Sequence, residues 1–173
     1  MSRLQPARTI LLPANPIFIA FSLFVAFILN LQPWGRIIGI PDFVALCLVF
    51  WGIHQPRRVG MGIAFCMGLL MDVNNATLFG ENALAYTILS YLAITIHRRV
   101  LWFPLSKQIW LVLPLLVLAQ LIQMFVQFLV NDRFSSWLYL LNSCVAAVLW
   151  PVLTIILLAP QRRAVDKDLD RPL

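Results

Sequence analysis

Apolar residues in this chain come in long runs separated by short polar segments, with none of the two-residue alternation that marks half-buried strands. A helix that crosses a bilayer needs roughly 20 mainly apolar residues, with about 17–25 the usual range. Six runs meet or approach that length: about 16–31, 37–53, 59–73, 83–96, 109–130 and 137–159. Proline suits the first turn of a helix, so Pro13 and Pro16 mark the start of the first run and Pro41 the start of the second. Asp42 adds negative charge at that same N-terminus, where the helix dipole favours it. Gln32-Pro33-Trp34-Gly35-Arg36 ends the first run, with Trp34 at an interfacial position. Pro114 falls in an early turn of the fifth run, and Pro151 should kink the sixth.

Composition moves this picture from helical to membrane-embedded. Of the 173 residues, 61% are hydrophobic and 12% charged, and the mean hydropathy is +0.87. Soluble domains have about 45–50% apolar and about 25% charged residues. So much apolar surface cannot be hidden in one water-soluble core. The pattern predicts an all-α membrane protein: a single six-helix domain over residues 1–160 and a short solvated tail over 161–173. No small-x-small cleavage site follows the first run, so the first helix is read as retained.

Charge placement fixes an expected orientation. With the N-terminus in the cytoplasm, the inner segments hold Arg3, Arg8, Arg57, Arg58, Arg98, Arg99, Lys107, Arg162, Arg163, Lys167 and Arg171. The outer segments hold only Arg36 and Arg133, which accounts for all 13 basic residues. That bias follows the positive-inside rule loop by loop and predicts both termini inside. It also removes the nucleic-acid reading that a pI near 9.9 invites.

Candidate chemistry is sparse. His54 and His97 lie beside arginine pairs without a third ligand or an activated serine, and no H-E-x-x-H, G-x-S-x-G or phosphate loop is present. Cys47, Cys66 and Cys144 lack metal spacing and read as buried, inert thiols. Neither catalysis nor a cofactor is expected. Asp72 is the residue that stands out: an acid at the end of an apolar run, near a helix C-terminus that disfavours negative charge, needs a donor. The candidates are water, Asn74, Asn75, the N-terminus of the fourth helix, Arg36 and Arg133. The sharper reading is that Asp72 pins the turn between helices three and four.

Gly60, Ala64 and Gly68 recur every four residues, giving a small-residue stripe suited to close helix approach, within the bundle or with a partner. Internal packing is favoured. Gln120, Gln123 and Gln127 share one face of the fifth helix, as glue within the bundle or as the lining of a ligand or partner site. Asn142 is a plausible mate for them. Thr87, Ser90 and Thr95 are expected to bond to their own helix backbone.

The middle of the chain, about residues 40–99, carries an ordered set of positions. It runs Pro41-Asp42, Ala45-Leu46, Trp51, Pro56, Val59-Gly60-x-Gly62, Ala64-Phe65, Gly68-Leu69-Leu70-x-Asp72, Gly80, Ala83-Leu84 and Tyr91. In this the chain resembles the rod shape-determining MreD family of the bacterial elongation machinery. The turn over 74–82 departs from the Ser-Gly-rich and Gly-x-His-like versions associated with that family. The resemblance implies a non-enzymatic, multi-pass scaffold of the bacterial cytoplasmic (inner) membrane, serving cell shape and lateral peptidoglycan synthesis. It implies MreC as partner, with MreB, RodA and its transpeptidase in the same complex, no nucleic acid and no cofactor. It also implies a fold similar to the substrate-binding subunits of energy-coupling-factor transporters. From that comes an alternative reading, a vitamin-binding transport subunit with the glutamine face lining its pocket. Helices two to four are expected to form the partner-recognition face, with Pro41, Asp42, Gly60, Ala64, Gly68, Asp72 and Gly80 as candidate structural or contact residues. The Asp72 turn is expected to become ordered on contact.

Overall fold

The computed structural model describes residues 15–32, 39–75, 78–131 and 139–161. Those residues form six α-helices: α1 Pro16–Leu31, α2 Phe43–His54, α3 Met61–Asn75, α4 Glu81–Trp102, α5 Leu105–Asn131 and α6 Leu140–Leu158, the last followed by a 3-10 turn at Ala159–Gln161. Arg36, Arg133, the residues before Asn15 and the tail beyond Gln161 lie outside the described residues.

Local chemistry sets the helix ends. Asn15 caps α1, its side chain accepting from Ile17 N at 3.1 Å, and Pro16 follows in the first turn. The second helix starts later than the apolar pattern suggests, at Phe43 instead of about residue 37. Asp42 is its N-cap, with Oδ1 accepting from Ala45 N at 3.0 Å. The fifth helix starts earlier, at Leu105, because the polar residues before Ile109 still complete helical turns. Pro114 therefore lies inside the helix, further from its start than the apolar pattern suggests. Pro151 lies inside α6 as the pattern predicts.

Two helices form the middle. Every residue of α2 from Val44 to Ile53 is buried, as a helix apolar on all sides requires. It packs against α1 and α4 and reaches α5 and α6, while α4 packs against α2, α3 and α5. Trp51 and Trp150 fill the core around Phe50. Each buried indole N–H has an acceptor: Ser22 Oγ at 2.8 Å for Trp51 and Gln108 Oε1 at 3.1 Å for Trp150. The outside is apolar as well, with Phe21 and Phe24 on α1, Phe125 and Leu129 on α5, and Val148, Val152 and Ile156 on α6 all exposed. Two stretches, Leu105–Val130 and Leu140–Gln161, are long and apolar enough to cross a membrane. By contrast the 12 residues of α2 extend only about 18 Å at 1.5 Å per residue.

The cysteines depart from expectation. Cys47 is buried, but Cys66 and Cys144 are exposed. An apolar run is no guide to burial when the outer surface of the bundle is apolar too.

Candidate functional site

All three carboxylates among the described residues, Asp42, Asp72 and Glu81, lie at one end of the bundle, each in its own group of hydrogen bonds. The described cations, Arg57, Arg58, Arg98, Arg99 and Lys107, occupy turns and helix termini at the other end. Each helix contributes to the acidic end: α1, α3 and α5 with their last turns, α2, α4 and α6 with their first.

Asp72 anchors the group at the α3–α4 junction. It is 1% exposed, and its Oδ1 accepts from Asn82 N at 2.7 Å and Asn82 Nδ2 at 2.9 Å. Its Oδ2 accepts from Gly80 N at 2.9 Å and Ala83 N at 3.4 Å. The first amides of a helix lack intrahelical partners and carry its positive pole. The residue in the N-cap position of α4 is Gly80, which has no side chain to supply the missing acceptor. Its φ of +104° is a conformation that favours glycine. Asp72 supplies the acceptor from the neighbouring helix. Of the donors that the sequence offers it, the α4 N-terminus is thus engaged, while Asn74 bonds instead to Asn75 at 3.1 Å.

The approach that makes this cap feasible comes from Gly68. A Cβ on Gly68 would lie 2.6 Å from Ala83 N and 2.8 Å from the Asn82 carbonyl carbon, so α3 and α4 meet there backbone to backbone. Ala64 is buried on the same side of α3. Gly60 does not join them: it precedes the helix, and a Cβ there would meet nothing within 4 Å. The four-residue spacing is therefore a two-residue contact, Ala64 and Gly68, inside the bundle.

Asp42 ties three helices together. Asn30 of α1 donates to its Oδ1 at 2.8 Å, and Asn30 Oδ1 in turn accepts from Phe43 N at 3.1 Å. The Tyr86 hydroxyl of α4 donates to Asp42 Oδ2 at 2.5 Å. Pro41, just before it, is buried. The glutamines of α5 each reach a different mate. Gln127 donates to Glu81 Oε1 at 2.6 Å, Gln123 donates to Asn82 Oδ1 at 2.8 Å, and Gln120 accepts from the Ser143 hydroxyl. Asn142 is not their partner. It accepts from Gly39 N at 2.7 Å, because the next residue on α6, Ser143, is the one turned towards Gln120.

Between these groups lies a cavity of about 40 Å³ lined by Asp42, Tyr86, Gln120, Gln123, Asn142 and Ser143. One water needs about 10–15 Å³ of such space, so the volume suits a few waters. Organic ligands occupy sites of about 300–1,000 Å³. No group of three or more His, Cys, Asp or Glu with metal-binding geometry occurs among the described residues. His54 Nδ1 and His97 Nδ1 each sit beside a carbonyl of their own helix, Phe50 O at 3.0 Å and Ile94 O at 2.5 Å. Thr87 and Thr95 bond back to Ala83 O and Tyr91 O as expected, but fully buried Ser90 has no hydrogen-bond partner among the described residues.

Sequence reasoning missed Asn30, Tyr86, Glu81 and Ser143. Asn30 carried a usable signal, since an amide in the last turn of an apolar helix costs energy unless it meets a partner.

The architecture defines a class: an all-helical bundle with an apolar exterior and a polar end whose side chains bond to one another. Within that class, the family model for rod shape-determining protein MreD matches residues 11–159, and the chain belongs to that family. It is 28% identical over 153 residues to the rod shape-determining protein MreD of Haemophilus influenzae, covering 84% of this chain and 92% of the relative. No solved structure matches the chain.

Proposed function

We propose that this chain is a non-enzymatic scaffold of the rod-shape machinery in the bacterial cytoplasmic membrane. It binds an MreC-like protein and works with MreB, RodA and the associated transpeptidase. The observation that carries this reading is the family match over residues 11–159, and the internal engagement of the acidic end supports it. Asp72 pairs with Asn82, Asn82 with Gln123, Glu81 with Gln127 and Ser143 with Gln120, which suits a rigid platform better than a reaction centre. Six crossings with both termini in the cytoplasm belong to the same proposal, the shorter helices being accommodated by local thinning of the bilayer.

Within helices two to four, the exposed side chains narrow the proposed recognition surface. Helix α2 has no exposed face to offer, and Ala64, Gly68 and Asp72 are buried between α3 and α4. We place the contact on the exposed apolar side chains of those two helices, Phe65, Leu84, Ile88 and Tyr91, with Phe79 at the turn, 80% exposed. A vitamin-binding subunit gains no support from a polar cavity of about 40 Å³.

The test is affinity purification of the full chain from detergent-solubilised membranes, followed by identification of its companions. An MreC-like protein and wall-synthesis enzymes are expected, and Ile88→Ser with Tyr91→Ser should lower their recovery at unchanged helical content. Recovery of a transporter ATPase pair with a bound vitamin would overturn the scaffold reading.

A further inference from the structure

Helices α1 and α3 both flank the buried centre but leave a lateral groove of about 450 Å³ between them. Its α1 wall is Pro16, Ala20, Leu23, Phe24 and Phe27, and its α3 wall is Ile63, Met67 and Leu70. These spacings of three and four put each set on one helical face. Arg58 lines the mouth of the groove, next to Arg57 in the turn that joins α2 to α3.

We propose that this groove is a binding site for one phospholipid of net negative charge, an acyl chain lying along α1 and α3 and the phosphate against Arg58. Two features of the groove select this occupant. Among the described residues its walls are apolar apart from Arg58 at one end, which matches the division of a lipid into chain and anionic head. A guanidinium also suits phosphate, since its fork can donate two parallel hydrogen bonds. The second feature is length. From Pro16 to Phe27 the groove follows α1 for about 16 Å at 1.5 Å per residue. That is about half of a hydrocarbon core roughly 30 Å thick, the reach of one leaflet. A transmembrane helix from a partner would need a seam through both leaflets.

The inference rests on the chain being membrane-embedded, so resistance of the full chain to alkaline extraction from membranes is measured first. Loss of the chain into the alkaline wash would defeat that reading and this one with it. The embedded chain is then placed in nanodiscs of phosphatidylcholine doped with phosphatidylglycerol that carries a photoreactive acyl chain, or with the equally reactive phosphatidylcholine. Labelled peptides are mapped by mass spectrometry. Phosphatidylglycerol should label α1 around Ala20–Phe24 and α3 around Ile63–Leu70 in preference to phosphatidylcholine. A basic residue at the membrane surface contributes about fivefold to binding of anionic lipid, so Arg58→Gln should reduce the preference by about that factor. Ala20→Trp, which fills the groove, should remove labelling by both lipids at unchanged helical content. Equal labelling by the two lipids, an unaltered preference in Arg58→Gln, or crosslinking of the groove to another protein in place of lipid would each overturn the proposal. Complete displacement of both lipids by inorganic phosphate would overturn it too, since the acyl chain would then contribute nothing.

Discussion

Asp72, near the end of α3, performs the N-cap of α4 for Gly80: its two carboxylate oxygens accept from Gly80 N at 2.9 Å and Asn82 N at 2.7 Å. A cap normally comes from the helix's own preceding residue. Here it comes from a neighbour, so a carboxylate in the last turn of one helix caps the start of the next. Hydrogen bonds to a charged acceptor contribute about 1.5–3 kcal/mol. Asp72→Ala should destabilise the bundle by at least about that much, and Asp72→Asn by less, because one oxygen still accepts. Hydrogen exchange at the Asn82 and Ala83 amides, read beside unfolding of the detergent-solubilised chain, checks this. Amides as protected in Asp72→Ala as in the parent would show that the cap is dispensable.

The same junction separates two glycines of α3 that look alike in sequence. Gly68→Ala would set a methyl 2.6 Å from Ala83 N, a backbone atom that cannot rotate away. The helices must part, and overpacking of this kind costs about 1–3 kcal/mol. Gly62→Ala meets nothing within 4 Å and lies in the first turn of the helix, where alanine gains at most the roughly 1 kcal/mol by which it is favoured over glycine in a helix interior. Thermal unfolding should therefore fall for Gly68→Ala and hold or rise for Gly62→Ala. Equal effects would mean that α3 and α4 do not meet at Gly68.

Tyr86 and Asp42 test the hydrogen bond that ties α4 to the start of α2. Tyr86→Phe leaves Asp42 Oδ2 without its 2.5 Å donor, and Asp42→Asn weakens the cap on Ala45 N as well. In a double-mutant cycle the two changes should couple by about 0.5–3 kcal/mol, the range for residues in one hydrogen-bond network. The Gln123–Asn82 pair is neutral and should couple by about 0.6 kcal/mol, the average for such bonds between membrane helices. Additive effects for Tyr86 and Asp42 would mean that this bond does not tie the two helices.

These pairings show where sequence reasoning succeeded and where it stopped. The runs of apolar residues were enough to place six helices, because period and length are local properties. The need of Asp72 for a donor was equally legible, since its position near a helix C-terminus is electrostatically poor. Which donor it takes depends on the α3–α4 crossing, and Gly68 betrays that crossing only as one small residue among several. Gln120, Gln123 and Gln127 were recognisable as one face of α5. Their mates lie on α4 and α6, at sequence separations that local spacing does not encode. The exposure of Cys66 and Cys144 was invisible for another reason: with apolar surfaces inside and outside the bundle, hydrophobicity cannot tell one face from the other.

Ser90 carries the last prediction. It is fully buried on α4 without a hydrogen-bond partner among the described residues, where α4 runs against α2. A Cβ on Gly52 of α2 would come within 3.2 Å of Ala93 Cβ and 3.9 Å of Ser90 O, so the helices are too close there for a larger side chain. An unpaired hydroxyl in apolar surroundings costs about 1–3 kcal/mol by protein mutational measures. Alanine removes it without adding volume and is the better helix former. Ser90→Ala should therefore unfold at a temperature equal to or above the parent's, whereas Ser90→Leu or Gly52→Leu should unfold well below it. A clear loss of stability in Ser90→Ala would mean that the hydroxyl has a bonding role within the bundle, and that the α2–α4 seam is held by more than close packing.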